Sequence, residues 1–112
     1  MQFTGEGTFT NEEGKIIGSG KISKANVSES RITFDFVQDD KLHIATLESN
    51  DGINYKGFYE FSHKPKGKAH FVLYQNKAGE YFLFGGYDGC GTADEGSGIW
   101  WIELRPRSKG AV

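Results

Sequence analysis

The chain of 112 residues has one cysteine, two prolines and no long apolar run. A lone Cys90 excludes an internal disulfide, so cysteine usage gives no argument for secretion. Scarce proline beside sixteen glycines suits tight turns and strand kinks, and excludes a proline-rich linker. A helical membrane span needs roughly 20 apolar residues, and no stretch here approaches that. Met1 is followed by Gln2, Phe3, Thr4 and Gly5, with neither a basic nor an apolar leader segment. A soluble, cytoplasmic, single-domain protein is the expectation, with residues 1–105 as the domain and 106–112 as a flexible basic tail. Helical periodicity is missing too: no amphipathic window exceeds about two turns.

Rings and segregated charge are what the chain does have. Aromatics reach 14%, so a few large side chains must carry much of the burial. Net charge is −2, but residues 1–55 carry nine acids and five bases, and residues 56–79 carry five lysines and one glutamate. Residues 80–104 carry five acids and no base. Such a distribution builds a small basic patch on an acidic body. The overall balance argues against nucleic acid as a partner.

Period-two patterning recurs along the chain. Phe3, Gly5, Gly7 and Phe9 mirror Ile16, Gly18, Gly20 and Ile22 about Glu12–Glu13, predicting a hairpin that pairs Phe3 with Ile22, Gly5 with Gly20, Gly7 with Gly18 and Phe9 with Ile16. The glycines allow bending or close approach of a ring or ligand. Ile32, Phe34 and Phe36 share one face; a three-residue loop would set Leu42 and Ile44 opposite Phe36 and Phe34. Asp51-Gly52 is a hairpin signal that would pair Leu42 with Phe61 and Ile44 with Tyr59. Residues 69–75 and 79–86 make a further hairpin about Asn76–Gly79. It would set Val72 and Tyr74 against Leu83 and Tyr81, and Phe71 and Leu73 against Phe84 and Phe82. The run 99–104 is the eighth strand. Eight short strands in up-and-down order predict an all-β, antiparallel barrel of lipocalin- or avidin-like architecture, with a sandwich as the alternative.

Several strands are apolar on both faces, so something besides the core must cover them. Tyr55, Tyr59, Tyr74, Tyr81, Trp101 and His70 are expected on the inner face, where amphipathic rings could hold an apolar or aromatic small ligand. Phe71, Leu73, Phe82, Phe84, Trp100 and Ile102 are expected outside, as a patch that would form a homodimer. Alternate turns of a meander share an end, placing the basic loop His63–Lys68 beside the acidic loop Tyr87–Gly98.

In that loop Asp88, Cys90, Thr92, Asp94 and Glu95 could offer oxygens to a hard cation, but their spacing does not match a calcium loop. His43, His63 and His70 fall on different segments, so no zinc constellation is read, and no cofactor is expected. An alternative places an enzyme at this rim, with Cys90, His70 and Asp88 as the reacting groups. A third reading is an interaction module with a solid core.

Two stretches carry resemblances. Lys56-Gly57-Phe58 followed by Tyr59 and Phe61 resembles the start of the aromatic RNA-binding strand of cold-shock domains, although Glu60 stands where that motif has a stacking phenylalanine. Tyr81-x-Leu83-x-Gly85-x-Tyr87-Asp88 followed by Gly96-Ser97-Gly98 and a tryptophan looks like one hairpin of avidin-type barrels. It implies a barrel. The early tryptophan-bearing strand of that family is absent, so biotin binding does not carry over.

Overall fold

The computed structural model describes residues 2–38, 40–61, 64–89 and 97–106. Its strands are β1 (Gln2–Thr10), β2 (Ile16–Val27), β3 (Arg31–Gln38), β4 (Lys41–Glu48), β5 (Asn54–Phe61), β6 (Lys64–Gln75), β7 (Tyr81–Gly89) and β8 (Ser97–Pro106). Each pairs antiparallel with the next, and β1 pairs with β8 from Phe3–Pro106 to Phe9–Trp100, closing the sheet into a barrel. Closure leaves no free edge, and it removes the sandwich alternative. Among the described residues no helix is long and apolar enough to cross a bilayer.

Turn chemistry sets the register. Asn11 and Asn76 head two turns of the same build, Asn-x-x-Gly-x. In each, the asparagine N–H donates to the carbonyl four residues on (Lys15, 2.9 Å; Glu80, 3.1 Å). The asparagine Oδ1 accepts two backbone N–H groups, and the glycine takes positive φ, 84° at Gly14 and 80° at Gly79. A three-residue loop ending on a left-handed glycine is a common hairpin closure. In the first hairpin this closure shifts the pairing by one residue, and a bulge between Phe9 and Thr10 shifts it by one more. Gly5 therefore pairs with Ile22, Gly7 with Gly20 and Phe9 with Gly18, correcting the expected partners. At these three pairs two one-residue shifts preserve parity. A further bulge between Phe3 and Gly5 gives Phe3 the partner Ala25 in place of the expected Ile22, and Ile16, expected on the inner face, is exposed.

Elsewhere the shift is single and the faces exchange. Gln38 pairs with Lys41, leaving two residues between β3 and β4 where three were expected, and Asp40 adopts φ 60° there. Phe36 consequently faces His43 and Phe34 faces Ala45, while Leu42 and Ile44 turn outward. Between β6 and β7, Leu73 pairs with Leu83 and Tyr74 with Phe82. Phe71 is buried and Leu73 packs on the core, whereas Tyr74 and Phe84 are exposed.

The interior is an aromatic and aliphatic core from all eight strands, including Phe3, Ile22, Phe34, Leu47, Tyr55, Phe71, Leu83 and Trp100. Trp100, Ile102 and Leu104 of β8 point inward, and Trp101 points to the other face. Gly7 makes room for the indole: a Cβ there would stand 3.1 Å from Trp100 Nε1. Gly18 lies under the Phe9 ring in the same way. The glycine patch thus admits the protein's own rings.

Tyrosine hydroxyls tie the two ends. At the end carrying the β1–β2 turn, Tyr87 donates to the Thr10 carbonyl at 2.6 Å. At the opposite end, Tyr55 donates to the Ser28 carbonyl, also at 2.6 Å. The two segments expected as facing loops at the first end are strand where they are described. Residues 64–68 belong to β6 and residues 87–89 to β7, and they lie side by side as ladder partners, Gly67 with Gly89 and Lys68 with Asp88. His63, residues 90–96 (Cys90 included) and the tail from 107 lie outside the described residues.

Candidate binding surface

Trp100 occupies the barrel axis. Its indole meets Phe34 (5.7 Å), Phe36 (5.1 Å), Tyr59 (5.7 Å), Phe71 (5.4 Å) and Tyr87 (6.2 Å), all edge to face. Rings from four other strands therefore converge on one side chain, the geometry aromatic quadrupoles prefer. Of the six residues expected to line a cavity, Tyr55 and Tyr59 are buried in this packing, and Tyr81 is half-buried at one end with its ring 5.0 Å from Phe3. Tyr74, His70 and Trp101 lie on the outer face instead. The reason is the single-residue shift at Asn76 for the first two, and for Trp101 a strand apolar on both sides, whose parity its pairings with β1 and β7 decide.

The same shifts rearrange the expected outer patch. Phe71, Leu73, Trp100 and Ile102 point inward, leaving Phe82 and Phe84 of the original set outside. Val72, Tyr74 and Trp101 join them. Cross-strand pairing runs Val72–Phe84–Trp101 in one row and Tyr74–Phe82–Glu103 in the next. Phe82 stacks with Phe84 at 6.2 Å and lies 6.3 Å from Tyr74. Phe84 is 44% exposed and Tyr74 55%, so these rings contact one another yet stay open to solvent. A second outward apolar set, Ile16, Ile17, Val37, Leu42 and Ile44, lies on β2, β3 and β4.

Beside the aromatic rows, toward the β5–β6 connection, the outer face changes character. Phe58 is 51% exposed and pairs across strands with Lys68; Lys56 pairs with His70, and Lys68 with Asp88. These side chains border an open groove of about 810 Å3 over β5 and β6. His70 lies across the next strand, with its Cε1 3.2 Å from where a Gly86 Cβ would be. His70 and Asp88, two of the three groups expected of a catalytic rim, thus share this groove. Among the described residues no three His, Cys, Asp or Glu side chains are grouped to hold a metal ion.

One histidine that periodicity placed on the wrong face is buried. His43 stacks on Phe36 at 5.0 Å, and its Nδ1 donates to the Lys41 carbonyl at 3.0 Å, which fixes the proton on that nitrogen. Three groups have displaced pKa values. Burial raises the Tyr55 hydroxyl, helped by Tyr81, Glu29 and Asp51; burial and then Glu12 raise that of Tyr87. The Asp51 carboxyl is held well below the usual carboxylate range by the backbone and side-chain N–H of Asn54, then by Ile53 N–H and the Ser49 hydroxyl. All are explained by turns and pins of the fold.

Comparison with protein-family models, with curated proteins and with solved structures finds no match.

Proposed function

We propose that this protein is a non-catalytic binding module that works through the outside of its barrel and pairs with a second copy of itself over β6, β7 and β8. One observation carries this: Tyr74, Phe82 and Phe84 form a contiguous outward cluster with Val72 and Trp101 across two neighbouring rows, Tyr74 and Phe84 being exposed. Contiguous apolar patches of this kind mark association surfaces, and aromatic rings are the side chains interfaces favour at their centre. A second copy presents the same rings, so a two-fold contact satisfies both at once. The apolar-ligand role expected of the lumen moves outward, because Trp100 and its five ring partners occupy the axis. Cytoplasmic residence belongs to the same proposal and rests on the lone cysteine.

Sedimentation equilibrium across the micromolar range tests the pairing. The protein is expected to sediment as a dimer, and Phe84→Glu as a monomer with an unchanged circular dichroism spectrum. Since Phe84 points out of the barrel, the substitution spares the core. A monomeric parent protein would end the proposal.

A further inference from the structure

We infer that the groove over β5 and β6 binds a small planar aromatic anion, one fused or single ring system carrying a carboxylate, sulfonate or phosphate. The inference stands on features separate from the pairing rows. Phe58 offers an exposed ring face on the outer side of β5, and no core role accounts for a phenylalanine 51% open to solvent. Two ammonium groups flank it: Lys68 directly across the β5–β6 ladder, and Lys56 two residues along β5 on the same face. Among the described residues neither is engaged in an ion pair. His70 stands opposite Lys56 and adds a third nitrogen base, with its ring laid over Gly86.

Charge gives the sign of the ligand. The protein as a whole is acidic, at −2, yet the groove's own lining holds two lysines and one histidine against the single carboxylate of Asp88. Glu48, across the ladder from Lys56, and Glu60, two residues beyond Phe58, are the nearest carboxylates outside it. An excess of cations on an acidic body concentrates an anion there. Shape gives the rest. The groove, about 810 Å3, falls within the range of small-molecule sites, and an exposed phenyl face beside ammonium groups favours a flat, electron-rich ring whose acidic substituent reaches the lysines. Asp88 lies on the far side of Lys68 and would accept from a hydroxyl or amino substituent on the ring.

Three matched probes test this: naphthalene-2-sulfonate, the neutral 2-naphthalenemethanol and the cationic 2-naphthylmethylamine, titrated into 15N-labelled protein and followed by amide shifts and calorimetry. The anion is expected to bind about tenfold more tightly than the neutral probe, and the cation least. Shifts should centre on residues 56–58 and 68–70. The double variant Lys56→Ala/Lys68→Ala should bring the anion down to the neutral probe's affinity while leaving the neutral probe unchanged. Phe58→Ala should weaken both by roughly tenfold, within the range found for loss of a stacking ring. All three residues are outward, so core packing is not at stake. Phe84→Glu, monomeric on the pairing proposal, should bind the anion as the parent does, which separates failure of one reading from failure of the other. Equal affinity for the three probes, anion binding that survives both the lysine and the Phe58 substitutions, or shifts confined to Phe82, Phe84 and Trp101 would each overturn the inference.

Discussion

Trp100 and Trp101 are neighbours in sequence with opposite duties, and the contrast sets measurable expectations. Trp100 is 6% exposed and joins rings from β3, β5, β6 and β7, so truncation to alanine leaves a cavity on the barrel axis. Trp100→Ala is expected to cost roughly 3–5 kcal/mol in urea unfolding, the range for large aromatic truncations in cores. Trp101→Ala removes an outward, half-buried ring and should cost far less. Nothing local in Ile99-Trp-Trp-Ile102 distinguishes the two, because both parities are apolar; glycine at position 7 and the pairings of β8 with β1 and β7 decide. Asp51 provides a second residue-level test. Its carboxyl titrates below its unfolded value near 3.9, so its hydrogen bonds stabilise the fold fully above that pH and are lost as pH falls below it. Asp51→Asn should show a flatter decline of stability below about pH 4 than the parent.

At the scale of the element, register is the governing quantity, and it lives in the turns. Strand existence, order and number follow from alternation in stretches such as Phe3–Phe9 and Ile32–Phe36, and those were legible in the sequence. Face assignment in β4 and β6 was not, since a loop read one residue too long or too short exchanges the inner and outer sets. Tyr74 and His70 left the lumen for that reason, and Phe71 and Leu73 entered it. The signal that could have placed them is the repeated Asn-x-x-Gly-x turn, whose hydrogen bonds fix a three-residue loop at both 11–15 and 76–80. Gly14 and Gly79 each hold positive φ with no neighbour within 4 Å of a built Cβ. Gly79→Ala should therefore destabilise by about 1–2 kcal/mol through backbone conformation alone. Gly79→Asn should recover part of that loss, because asparagine tolerates the left-handed region. If crowding rather than conformation were the cause, asparagine would be the worse of the two; thermal melts of both variants separate the cases.

For the whole molecule, closure joins the first strand to the last, and two tyrosine hydroxyls pin the opposite ends of the barrel. Tyr87 reaches from β7 to the Thr10 carbonyl, and Tyr55 reaches from β5 to the Ser28 carbonyl. A phenol donates only while protonated, and partial burial disfavours the phenolate, so folding raises both pKa values above the usual value near 10. The stability this represents is present in full below pH 10. It is lost as pH rises from there through the folded values, since the unfolded chain ionises first. Alkaline unfolding should accordingly begin near pH 10, and Tyr55→Phe and Tyr87→Phe should each lessen the slope of stability against pH in that region. Each variant also forgoes one hydrogen bond at neutral pH, at a cost of about 1 kcal/mol, so parent and variant curves should converge as pH climbs. Parallel curves would mean that the phenols already ionise freely in the fold, and that the barrel ends are held by the backbone ladder alone.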